Sequence, residues 1–217
     1  MLDIDLTEHL QLEPTPHIVF EGDQDIYNRL DNNWKYNEEI QYHGDHGDRR
    51  TNITILDDQS VEYIESVLYS AYKLFKPLLQ EHYPTWEADE ELFETKKMFS
   101  TNLANDKPFS PRGWHLDTGE KIIIGLWYFA HPNDNAGGNL QIFSGRALDT
   151  KQIDYSPNTF VLMPNLTTAW HRVTKRQPTN MNRRFVNAVL YQTDLKFHEY
   201  SRNEDGSDSF KKVNKLK

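Results

Sequence analysis

From about Lys96 onward the chain is written in short apolar runs of five to eight residues, each closed by a turn signal. The runs are Met98–Leu103, Ile122–Phe129, Asn139–Phe143, Thr159–Met163, Ala169–Val173 and Arg184–Tyr191, with Pro-Asn, Asn-Asp and Gly-Gly between them. Such runs are too short for helices and too close together for βαβ crossovers. They predict an antiparallel all-β unit.

The first half of the chain is different. From about Ser60 to His82, Val61, Ile64, Val67, Leu68, Ala71, Phe75, Leu78 and Leu79 recur at three- and four-residue steps and make one broad apolar helix face. Asp57, Asp58 and Ser60 are N-cap candidates, and Pro77 inside the pattern predicts a kink or an early end. His17–Phe20 and Thr51–Leu56 read as strands and Asp25–Trp34 as a second helix. The expected fold is therefore mainly β with flanking helices (α+β): a jelly-roll core, cupin-like, packed on the long helix. One domain is expected over 1–197, with helical support over about 1–95 and the barrel over about 96–194. The polar stretch 198–217 reads as a loose tail.

Composition narrows the function classes. A net charge of −9 argues against nucleic-acid backbones and anionic membranes. The longest apolar stretch, Ile122–Ala130, is too short to span a bilayer, and the acidic first residues do not read as a leader, so a cytoplasmic protein is expected. The chain has no cysteine, which removes disulfides and thiolate sites and leaves imidazoles and carboxylates as metal donors.

Those donors have a placement. In extended backbone His115 and Asp117 project to one side, and His171, on a later strand, is placed to supply a third donor. Two imidazoles and one carboxylate form the facial set that suits iron(II) and leaves adjacent positions open. His-x-Asp alone is a weak pattern: His43-Gly44-Asp45 and His46-Gly47-Asp48 match it too. Those two lie in a glycine-bearing polar loop, whereas a metal site wants rigid support, so His115 and Asp117 are the expected pair.

A carboxylate cosubstrate reaching into a barrel needs a fixed cation, and arginine's planar fork suits it. Arg183 and Arg184 open the last strand, and only one of them can point inward. Arg184 shares its face with Val186, Ala188 and Leu190, which favours Arg184; Arg183, with Phe185, Asn187 and Val189, is the alternative. Tyr128 can add a hydroxyl to the same carboxylate.

The ordered set resembles the 2-oxoglutarate/Fe(II) dioxygenase superfamily, in particular its prolyl-4-hydroxylase-like branch. WHLD carries the His-x-Asp, LWYFAHPND follows it, GGNLQIF resembles the family's Gly-Gly turn and strand, NTFVLMPN leads to AWHRV, and RRFVNAVLYQTD closes the set. The resemblance covers about residues 96 to 194. It implies His115, Asp117 and His171 as ligands of Fe(II), with Arg184 and Tyr128 on 2-oxoglutarate, O2 as co-reactant and ascorbate as a candidate reductant. The implied reaction hydroxylates a C–H bond of a peptidyl (prolyl included) or small-molecule substrate with release of succinate and CO2. Asp117 favours hydroxylation, since halogenating relatives lack that carboxylate. Two features depart from the family. Arg184 stands thirteen positions after His171, implying an enlarged turn around Gln177–Asn182, and Ala188 stands where some relatives carry a threonine. The rival classes are a non-catalytic jelly-roll binding module and a zinc hydrolase, for which Glu120 is the candidate base. Specificity is expected to reside in His43–Arg50 and Asn105–Arg112.

Overall fold

A computed structural model describes residues 2–36, 50–53, 56–84, 86, 98–106, 112–143, 149–179, 181–191, 198–202 and 208–212. Among these residues two α-helices, α1 (Gln24–Tyr36) and α2 (Asp58–His82), accompany a β-rich chain. Its strands are β1 (Leu10–Gln11), β2 (His17–Glu21), β3 (Arg50–Ile53), β4 (Met98–Asp106), β5 (Arg112–His115), β6 (Lys121–Tyr128) and β7 (Leu140–Phe143). They continue as β8 (Thr150–Ile153), β9 (Thr159–Pro164), β10 (Trp170–Val173), β11 (Arg183–Tyr191), β12 (His198–Arg202) and β13 (Asp208–Lys212).

The strands form an antiparallel seven-stranded sheet, ordered β1-β2-β9-β6-β11-β4-β3, and a four-stranded sheet, ordered β5-β10-β7-β8. Alternation of side chains splits the core into two layers. On one face of the large sheet, Ile123, Trp127, Phe160, Leu162, Val186, Ala188 and Leu190 pack with the apolar faces of α1 and α2. On the other, Tyr128, Val161, Met163 and Phe185 join Leu140, Ile142 and Ile153 of the small sheet. This is the two-sheet jelly-roll core with a helical backing that the strand pattern leads one to expect.

The helix face is the one the periodicity picks out: Ile64, Val67, Leu68, Ala71, Phe75 and Leu79 are fully buried. Each large apolar side chain among them contributes about 1.5–3 kcal/mol by leaving water. Asp57 caps α2 by accepting from the Ser60 amide at 2.8 Å. The early end expected at Pro77 does not occur, and α2 runs on to His82. Phe75 and Leu79, buried on either side of Pro77, hold the turn to the sheet, so tertiary packing outweighs the missing N–H.

The last residues also differ from expectation. Instead of a loose tail, β12 and β13 pair antiparallel, with His198 opposite Lys212 and Tyr200 opposite Phe210.

Candidate metal centre

β5 and β10 are antiparallel neighbours in the small sheet, and their register sets His115 directly opposite His171. Both imidazoles project from one face, with ring centroids 4.2 Å apart. Asp117 follows two residues later, where the chain turns towards β6. That turn is clamped: the Lys121 amide donates to the Thr118 carbonyl at 3.1 Å. The side-chain amide of Asn165, itself buried, donates to the carbonyls of Thr118 and Lys121 at 2.8 and 2.9 Å. One donor atom from each of His115, Asp117 and His171 lies within 4.8 Å of the others. His171 is buried, while His115 and Asp117 are half-buried, so the cluster opens to solvent on one side.

The hydrogen bonds fix the chemistry of the rings. Nδ1 of His115 contacts the Gly113 carbonyl at 2.8 Å, and Nδ1 of His171 contacts the Ala169 carbonyl at 3.1 Å. A carbonyl only accepts, so in both rings Nδ1 carries a proton, and Nε2 is the nitrogen that a neutral ring offers to a metal. The two rings use the same device, a carbonyl two residues upstream. Oδ2 of Asp117 lies 3.4 Å from Nε2 of His171. Two imidazole lone pairs and a carboxylate oxygen thus converge, and a cation between them would satisfy all three.

Burial alone would push the Asp117 carboxyl up. The adjacent Lys121 ammonium, then His171 and His115, outweigh it and hold the group at about 2, so Asp117 is ionised.

A cavity of about 350 Å³ lies over the cluster, lined by His115, Asp117, His171, Lys121 and, on the β11 side, Arg183 and Asn187. Here the structure corrects the strand phase. Arg183, not Arg184, faces the cavity. Its Nε donates to the Gly138 carbonyl at 2.8 Å, and its guanidinium lies 4.9 Å from the Tyr128 ring, 4.7 Å from Phe185 and 5.4 Å from Tyr155. Arg184 points the other way, pairing with Asp31 of α1 at 2.8 Å and donating to the Phe129 carbonyl at 3.1 Å, beside the Trp34 ring. The uniformly apolar face of Val186, Ala188 and Leu190 is the helix-packed one. The face with Asn187 is the one between the sheets. Tyr128 does face the interior, buried beside Arg183 and Tyr155.

Several residues of the site carry no pattern of their own in the sequence. Asn165, Lys121 and Tyr155 are three, the last with its hydroxyl on the Arg184 amide at 2.8 Å. Arg176 and Asp134 are two more: buried together at 2.7 Å, they tie the segment after β6 to the one after β10. An ion pair between loops leaves no periodicity to read. Glu120 is half-buried in the turn before β6 and does not line the cavity. His43–Asp48 lies outside the described residues, as do 107–111 of the second expected specificity loop. No helix among the described residues is long and apolar enough to cross a membrane.

No family model and no curated protein matches the sequence. Solved structures match the fold. A prolyl-4-hydroxylase from Pseudomonas putida superimposes with a TM-score of 0.56 at 13% identity, over 81% of this chain and 92% of that one. A prolyl hydroxylase from Trichoplax adhaerens, solved with a hypoxia inducible factor oxygen degradation domain peptide fragment, gives 0.52 at 12% identity, over 81% and 83%. At such identities the likeness is one of fold: this chain has the fold of these two prolyl hydroxylases.

Proposed function

We propose that the protein is an Fe(II)- and 2-oxoglutarate-dependent oxygenase that hydroxylates a C–H bond of a peptidyl or small-molecule substrate. The observation that carries this is the convergence of one ring nitrogen each from His115 and His171 with a carboxylate oxygen of Asp117, in a cavity that holds a buried guanidinium. Two imidazoles and one carboxylate suit iron(II) and leave three adjacent positions for other ligands. Iron, 2-oxoglutarate and oxygen together supply the oxidising chemistry, with succinate and CO2 as co-products.

The chain's own share is placement. His115, Asp117 and His171 hold the metal, their orientations fixed by the Gly113 and Ala169 carbonyls. Arg183, caged by Tyr128, Tyr155 and Phe185, is desolvated and takes the distal carboxylate of 2-oxoglutarate as a fork. Tyr128, behind it, shapes that end of the cavity. Asn187, four residues beyond Arg183 on the same face, stands where the family resemblance places a polar contact to the cosubstrate, in place of Ala188. Leu126, Leu140 and Val173 give the space between them apolar walls. A peptide substrate agrees with the peptide bound to the Trichoplax adhaerens relative in fold. A hydrolytic zinc site would want a general base, and among the described residues lining the cavity the one carboxylate is that of Asp117.

Anaerobic addition of Fe(II) and then 2-oxoglutarate is expected to produce a visible metal-to-ligand charge-transfer band, and admission of air to produce succinate. Folded protein that gives neither would sink the assignment. His171→Ala is expected to abolish the band with the fold intact, as read by circular dichroism.

A further inference from the structure

The geometry points to Lys121 as a positioning residue for the metal: it occupies one oxygen of Asp117, so that the carboxylate gives the ion a single donor. This inference rests on the metal centre proposed above and concerns how that centre keeps its coordination positions open.

The two oxygens of Asp117 have different partners. Nζ of Lys121 donates to Oδ1, while Oδ2 faces Nε2 of His171. Lys121 is four residues along the chain from Asp117, on the far side of the turn, and lines the same cavity. Its backbone is pinned from both sides, the amide on the Thr118 carbonyl and its own carbonyl under the Asn165 side chain. Its side chain is 27% exposed and that of Asp117 15%, so the pair sits at the cavity's edge rather than free in solvent.

A carboxylate with both oxygens free can close on an ion in two-toothed fashion. Together with two imidazoles that would occupy four of six octahedral positions and leave two. A chelating cosubstrate and oxygen need three. With Oδ1 held by an ammonium, Asp117 presents Oδ2 alone and three positions stay open. A merely structural ion pair at a surface edge is of modest worth and would change only stability when removed.

The test counts waters on a bound ion. Mn(II) is titrated into wild type, K121M, K121A and K121R, and the water-proton relaxivity per bound ion is measured after binding is established by electron paramagnetic resonance. The wild type is expected to show three exchangeable waters. K121M and K121A are expected to lose one, a fall of about one third from a facial site, and K121R to restore it. Circular dichroism verifies the fold of each, and K121A repeats the truncation without a stem to pack. Equal relaxivity in the loaded wild type and both truncations would overturn the role assigned to Lys121 and leave the metal centre standing. Failure of the wild type to bind Mn(II) would overturn the metal centre itself.

Discussion

Arg183 and Arg184 are neighbours in sequence and equally buried, yet their side chains leave opposite faces of β11 into different company. Arg183 meets three aromatic rings and the Gly138 carbonyl beside the His115–Asp117–His171 cluster. Arg184 meets Asp31 and Trp34 of α1. If Arg183 is the cosubstrate's anchor, truncating it removes its charge-assisted hydrogen bonds to the ligand together with the one to the Gly138 carbonyl. Arg183→Ala is then expected to raise the Kd for 2-oxoglutarate about 10- to 150-fold, the equivalent of about 1.5–3 kcal/mol. Arg184→Ala leaves Asp31 without its guanidinium at the edge of the core and is expected to cost about 3–5 kcal/mol of stability, with 2-oxoglutarate binding little changed. Anaerobic calorimetry on the Mn(II) form and urea unfolding measure the two quantities. The reverse pattern would return the anchor to Arg184.

At the scale of elements, the turn before β7 is where backbone conformation and the anchor meet. Gly137 and Gly138 both adopt positive φ, +92° and +86°. A Cβ on Gly138 would stand 3.0 Å from Cγ of Arg176 and 3.2 Å from Cδ of Arg183, whereas one on Gly137 would meet the Lys175 carbonyl at 3.2 Å. Both alanine variants are expected to cost about 1–3 kcal/mol in backbone strain. Only Gly138→Ala is expected to weaken 2-oxoglutarate, because only it displaces the Arg183 side chain. Comparable weakening by Gly137→Ala would show that general loosening, not the close approach, is responsible. The same elements differ in how plainly their sequence carries them. The helix faces and the longer strands are legible because one side is apolar and the period is plain. The convergence of His115, Asp117 and His171 is legible because the His-x-Asp spacing supplies the first pair and the order of segments the third, although Asp117 stands in the turn beyond β5 rather than on a strand. The phase of β11 is not legible from apolarity. Buried on both faces, it gives no inside and outside to tell apart, and the face that serves the site is the more polar one, with Arg183 and Asn187. The short edge strand β8 has one buried residue in four, too few to show alternation. Lys121 and Asn165 act through a turn and a distant loop, and that pairing belongs to the tertiary structure alone.

Across the whole molecule, buried tyrosines join the helical layer to the site from two directions. Tyr83, just past α2, donates to the Asn165 carbonyl at 3.0 Å, and Asn165 in turn clamps the turn that carries Asp117 and Lys121. Tyr155, between the sheets, exchanges hydrogen bonds with the amide and carbonyl of Arg184 at 2.8 and 3.3 Å and lies against the Arg183 guanidinium. Tyr63 accepts from the Asp23 amide at 2.8 Å, and Tyr27 stacks on Phe129. Burial raises all four phenols, Tyr155 to about 12 despite its arginine neighbours and Tyr83 further still. A group whose folded pKa is raised holds its proton longer in the folded state than in the unfolded one. The stability it contributes is complete below the unfolded value of about 10 and is lost as pH rises through the folded value. Stability is therefore expected to fall steeply between about pH 10 and 12, with the turn that carries Asp117 and the Arg183 end of β11 released together. Urea unfolding followed in parallel with tyrosinate absorbance measures this. The absorbance step and the unfolding transition should coincide, since buried phenols ionise only as the packing opens. Tyr155→Phe, which keeps the ring over Arg183 and removes the titrating proton, should flatten the alkaline slope while lowering stability at neutral pH by about 1 kcal/mol for the lost hydrogen bond. Tyrosinate that appears at its ordinary pH in fully folded protein would show instead that these phenols are reached by water.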